Sequence, residues 1–189
     1  MLKPYIDNYF DVWTKEIIND FFKSILWLGF IFVVLRKYNV QIPIKQMFKN
    51  PIKKKIIIPA SAVIIAYILV IMFIQHRGFH INTNFHPSRL IGQFLLVGIL
   101  EELVFRGWFL NSLSLLINER KANLISALFF VFIHYPSYIV GAHPSLILTN
   151  SLGIFFAGLI FGWSFYKSKS LWVPIILHML WDLLAILLL

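Results

Sequence analysis

The chain has 189 residues, a length that suggests one domain, and 59% of them are hydrophobic while 13% are charged. Soluble domains sit nearer half apolar with about a quarter of their residues charged, so this composition, with a mean hydropathy of +0.79, excludes an ordinary water-soluble globule. The net charge of +9 falls between apolar blocks rather than on one water-facing surface, which disfavours a nucleic-acid partner; the lack of cysteine excludes disulfides, thiolate metal sites and a thiol nucleophile.

In chain order, residues 4–20 place Ile6, Phe10, Trp13 and Ile17 on one helical face, with acids and lysines between them. This spacing predicts an interfacial amphipathic helix running into the first span. Asp7, Asp11, Glu16 and Asp20 interrupt any early apolar region, so the N-terminus is not read as a signal peptide. The first span is expected at 21–35. A basic loop over 36–55 follows, then a second span at 56–74 without a charge. Residues 75–89 are polar and read as a loop.

A long helical stretch is expected at 90–117, and it contains Glu101, Glu102 and Arg106. Residues 118–121 read as a short charged turn. Residues 122–166 hold no Asp, Glu, Lys or Arg, and Tyr135-Pro136 and His143-Pro144 bracket a loop that divides them into two spans. Within the second, Gly158 and Gly162 make a small-xxx-small pair that permits close helix approach, though glycine is also ordinary in membrane helices. The last span is expected at 171–189.

The predicted fold class is therefore all-α, a polytopic transmembrane bundle of about six spans in a single membrane domain, 1–189, with N-terminal spans and loops over 1–89. The basic loop 36–55 is expected in the cytoplasm. Alternation puts 118–121 and 167–170 on the same side and 135–144 on the other, and the distribution of basic residues agrees with each assignment.

Glu101, Glu102, Arg106 and Asp182 are full charges within predicted spans, joined by His134 and His178. Each ionised residue at the centre of a membrane helix costs about 2.5–3.5 kcal/mol, so four cost on the order of 10 kcal/mol without compensation. Such residues face a bundle interior and mark a functional pathway. Glu102 and Arg106 are four apart and share a helix face, as do His178 and Asp182. Glu101 points about 100° away from Glu102 and so faces a different neighbour. A carboxylate with a neutral imidazole can hold and deprotonate a water. A second histidine can donate to an oxyanion. Together these parts suffice for peptide-bond cleavage without a covalent nucleophile.

Three motifs carry a family resemblance. Glu101-Glu102-Leu-Val-Phe-Arg106 resembles the Glu-Glu-x-x-x-Arg motif of the CAAX-protease and bacteriocin-processing family, CPBP or Abi. Phe130-Val-Phe-Ile-His134 resembles its Phe-x-x-x-His motif, and His178-Met-Leu-Trp-Asp182 its His-x-x-x-Asn/Asp motif. The resemblance covers about 90–189, which becomes the catalytic core. It implies an intramembrane endopeptidase in which Glu101 and His134 activate water, His178 and Asp182 bind the oxyanion, and Glu102 and Arg106 support the site. Asp182 stands where Asn is commoner, and an ionised Asp cannot donate a hydrogen bond.

The family is often labelled metalloprotease. A zinc would take Glu101, His134 and His178, but the His-Glu-x-x-His motif is absent, and the reading favours no cofactor. The expected partners are a peptide or membrane-protein substrate and the lipid bilayer, with cleavage near the cytoplasmic face of a bacterial cell membrane. Competing readings are a non-catalytic bacteriocin self-immunity or scaffold protein and a proton or substrate transporter. His76, His80, His86 and His143 lie in expected loops and read as solvated side chains.

Overall fold

The computed structural model describes residues 12–83, 90–135 and 144–189. The described residues contain helices and no strand. The first, α1, spans Val12–Lys37 as one rod. The expected amphipathic segment thus does continue into the apolar run, although residues 4–11 of it lie outside the described residues. The basic loop carries a short helix, α2 (Ile44–Lys49). Next, α3 (Lys54–His76) covers the expected second span and ends on Arg77 in the left-handed conformation.

Residues 90–113 form a continuous helix, α4, with an unexpected internal geometry. Two π-helical stretches, Leu90–Val97 and Leu103–Leu110, flank one α-helical turn, Gly98–Glu102. Such wide turns gather at functional sites, and both glutamates of the first motif sit in the short α-helical turn between them. The expected charged turn at 118–121 is instead a helix start: the Asn118 side chain accepts from the Lys121 backbone N–H at 3.0 Å, capping α5 (Glu119–Phe132). After the expected break come α6 (Pro144–Ser168) and α7 (Trp172–Leu188). Most of the dividing loop, 136–143, lies outside the described residues.

α7 runs parallel to α3 and antiparallel to α6, and the three share a core of Ile64, Ile68, Phe161, Val173 and Leu177. α5 lies across α6 at the two glycines: Ala127 approaches Gly158, and Asn123 occupies the space a Cβ on Gly162 would need. The small-xxx-small pair is therefore a true close contact. α1 leans on α4 through Trp27 against Phe105 and Phe30 against Trp108.

The lysine-bearing end of the bundle is laced shut. Asn111 on α4 both accepts from the Ile42 N–H at 3.0 Å and donates to the Ile42 carbonyl at 2.8 Å. The Asn50 amide donates to the Lys169 carbonyl, Ser170 donates to the Asn50 carbonyl, and the Trp172 indole N–H donates to the Phe48 carbonyl. Beneath these bonds Met47, Leu110 and Leu171 are wholly buried with Phe165 and Ile175.

The outer surfaces of α1 and α3 are apolar: Leu26, Val33, Ile58, Val70 and Ile74 are all exposed. A contiguous apolar face of this kind is a contact surface for lipid or protein. Among the described residues one helix, Lys54–His76, is long and apolar enough to cross a membrane, while Ser24–Leu35 and Trp172–Leu188 are shorter apolar segments.

Candidate active site

The three motifs converge in the middle of the bundle. Glu102 and Arg106 are completely buried, and Arg106 Nη1 donates to Glu102 Oε1 at 2.7 Å along α4. The guanidinium also donates through Nη2 to the Gly158 carbonyl on α6 at 2.9 Å. It lies 4.7 Å from the Phe130 ring centroid and 5.3 Å from that of Phe161. Arg106 thus joins three helices. A flat cation with a fork of donors suits this place, where a lysine could not both stack and bridge.

His178 on α7 meets the same carboxylate. Its Nδ1 lies 2.8 Å from Glu102 Oε1. An ionised carboxylate only accepts, so Nδ1 is the donor. The imidazole is stacked on Phe161, with centroids 5.0 Å apart and planes 21° apart, and the edge of Phe130 closes another side at 5.7 Å. Its other nitrogen, Nε2, faces Asp182 Oδ2 at 3.6 Å, beyond direct hydrogen bonding. The expected His178–Asp182 proximity is present, but the bond that fixes the ring is to Glu102.

His134 stands just beyond the end of α5. Its Nδ1 lies 2.7 Å from the Phe130 carbonyl. A carbonyl can only accept, so Nδ1 carries the proton, and in the neutral ring Nε2 is left as an acceptor. Nε2 is 4.0 Å from Glu101 Oε2. A water oxygen about 2.8 Å from each atom would see them roughly 90° apart, close enough to its own bond angle to donate one hydrogen to each. Its lone pairs would then face outward. Glu101 is buried, while about a quarter of the His134 side chain is exposed.

His134 and Asp182 line a cavity of about 230 Å³, whose walls include Tyr67, Ile71, Asn150 and Trp181 and whose rim includes Gln75. The cavity is bounded by the C-terminal halves of α3 and α7, the end of α5 and the first half of α6. It therefore opens at the end of the bundle remote from the lysine-bearing loops.

The donor spacing does not fit a tetrahedral zinc. Oxygen and nitrogen ligands about 2.0–2.1 Å from such an ion lie roughly 3.3 Å apart, whereas Glu101 Oε2 and His134 Nε2 are 4.0 Å apart. Among the described residues no three potential ligands converge on one point. His76 and His80 stack on each other at 3.9 Å; His86 and His143 lie outside the described residues.

The structure thus brings Glu101, Glu102, Arg106, His134, His178 and Asp182 into one cluster. Sequence reasoning did not find Phe161, the ring platform for His178 and Arg106, or the Gly158 carbonyl. Both lie in an uninterrupted apolar helix, and nothing in their residue type signals the contact. Phe130, the first residue of the second motif, packs between both histidines and against Arg106.

Fold and site together define a helical protein of the CAAX-protease type, with buried ionisable groups shared among its helices. The family model described as Type II CAAX prenyl endopeptidase Rce1-like matches residues 83–184, more than half of the chain, and the chain belongs to that family. Its members are membrane-embedded and typically proteases. No curated protein matches the chain, and no solved structure does.

Proposed function

We propose that the protein is an intramembrane endopeptidase that hydrolyses a peptide or membrane-protein bond with a water activated by Glu101 and His134. The observation that carries this reading is the 4.0 Å gap between Glu101 Oε2 and His134 Nε2, two acceptors spaced for one water, with the second nitrogen of His134 fixed by the Phe130 carbonyl. The water attacks the scissile carbonyl carbon and passes its proton to the Glu101–His134 pair. The same pair returns a proton to the leaving amine as the C–N bond breaks.

His178 Nε2 is the donor toward the developing oxyanion. Because Nδ1 already donates to Glu102, this role needs both ring nitrogens protonated. Asp182, beside Nε2 and on the cavity wall, orients that ring rather than donating itself. Glu102 and Arg106 act as positioning residues, holding the imidazole through one oxygen. No metal enters the scheme. Six spans cross the bilayer in this reading, and the exposed apolar faces of α1 and α3 meet lipid.

The test is mass spectrometry of small peptides from cells producing the wild-type chain or Glu101→Gln. Products present with wild type and missing with Glu101→Gln support hydrolysis. Identical peptide profiles together with an intact cellular phenotype refute it and point to a non-catalytic role in immunity or scaffolding.

A further inference from the structure

Tyr67, in the middle of α3, stands on the wall of the cavity and has no part in the reaction described above. Its ring is stacked on Trp181 of α7, with centroids 5.4 Å apart and planes 21° apart. On another side it lies 5.2 Å from the Phe156 ring of α6. Contacts with two neighbouring helices hold the ring, and so they also fix the hydroxyl at its tip. The hydroxyl fits where it does because residue 153 is glycine. A Cβ there would come within 2.9 Å of the Tyr67 oxygen, while the ring carbons Cε1 and Cζ would stay at an ordinary 3.7 Å. The missing side chain therefore makes room for the oxygen rather than for the ring.

Tyr67 and Gly153 line the same cavity as His134 and Asp182. Among the described residues the Tyr67 hydroxyl has no hydrogen-bond partner, although a phenol among apolar neighbours normally finds one. A peptide drawn into this cavity leaves water behind, and each main-chain carbonyl it brings with it needs a donor. No lysine or arginine lines the cavity to supply one. We propose that Tyr67 is a substrate-binding residue: its hydroxyl donates a hydrogen bond to a main-chain carbonyl of the peptide beside the bond to be cut, and Gly153 provides the space that lets it do so. The proposal rests on the hydrolytic reading above and deepens it. At this point of the cavity the substrate is recognised by its backbone, which every peptide carries, while the stacked faces of Tyr67 and Trp181 accept a neutral apolar neighbour.

Tyr67→Phe removes the oxygen and keeps the ring stack; Gly153→Ala adds a methyl against that oxygen. Wild type, both single variants, the double variant and Glu101→Gln are purified as full chains in detergent micelles. Each is given a tryptic digest of bacterial membrane proteins, and new cuts are followed by mass spectrometry. KM, kcat and the melting temperature are then compared, using one peptide that wild type cuts and Glu101→Gln does not. Tyr67→Phe should raise KM about 2- to 10-fold, the share of one neutral hydrogen bond. Its kcat should stay within about twofold, as the loss of binding common to substrate and transition state requires. Gly153→Ala should raise KM as well, because the methyl displaces the hydroxyl. In the double variant that methyl meets ring carbons at ordinary distance, so KM should match Tyr67→Phe alone instead of combining both effects. An unchanged KM in Tyr67→Phe, with or without a lower melting temperature, overturns the proposal and leaves hydrolysis standing. So do effects of the two substitutions that simply multiply. Identical peptide profiles from wild type and Glu101→Gln overturn hydrolysis itself, and the proposal with it.

Discussion

Replacing Arg106 tests the centre of the site most directly. Its guanidinium is wholly buried and is a charged partner of Glu102, which is equally buried. Arg106→Leu keeps much of the side-chain volume but strands the carboxylate with His178 as its remaining hydrogen-bond donor among the described residues. It also removes the side-chain donor from the Gly158 carbonyl. Breaking a buried ion pair by deleting one partner costs about 3–5 kcal/mol, a large part of the roughly 5–15 kcal/mol that typically separates a folded domain from its unfolded chain. Arg106→Lys keeps the charge but cannot bridge Glu102 and Gly158 while lying flat between Phe130 and Phe161; losing one charge-assisted bond costs about 1.5–3 kcal/mol. Combining Arg106→Leu with Glu102→Leu removes both charges and recovers much of the stability lost by Arg106→Leu alone, since an apolar replacement of a whole buried pair is often neutral. Thermal unfolding of the purified chain in detergent should rank wild type first, Arg106→Lys next and Arg106→Leu last. The double variant should fall above Arg106→Leu but lack peptide cleavage. Equal melting of Arg106→Leu and wild type would refute the clamp.

His134→Gln should lower cleavage by about 10²–10⁴-fold, the range of a lost general base, with the melting temperature preserved; unchanged turnover argues against the water site. Cleavage should persist through a zinc chelator, and loss that zinc restores would require a metal and a different arrangement of Glu101, His134 and His178. Gly162→Ala should destabilise the bundle by about 1–3 kcal/mol as an overpacked contact, because the new methyl displaces Asn123 from its 3.0 Å bond to the Leu159 carbonyl; a wild-type melting curve would show that α5 and α6 are not so close. Asn111→Ala leaves the Ile42 backbone without its two hydrogen bonds to that side chain and should cost about 1–3 kcal/mol, read as faster limited proteolysis within the basic loop.

Which parts of this arrangement were legible in the sequence follows from the range of each interaction. Glu102 and Arg106 pair because residues four apart share a helix face, and the 2.7 Å bond follows from the helix alone. The helix over 54–76 was readable because an unbroken apolar run has few other outcomes. Helix boundaries were less readable where one side chain decides them: Asn118 turns an expected loop into a cap. The π-helical turns around Gly98–Glu102 left no mark in the periodicity, and the Glu102–His178 bond joins residues 76 positions apart. That bond changes the chemistry most. Spacing alone assigned His178 to Asp182, on its own helix. The fold instead has the His178 Nδ1–H donate a hydrogen bond to Glu102, which also holds Arg106. The imidazole and the guanidinium therefore share one carboxylate oxygen, and a change at any of the three must be felt at the other two. In the mechanism we propose, such a site couples stability to catalysis: the charges that are costly to bury are the same ones that hold the His178 ring in place.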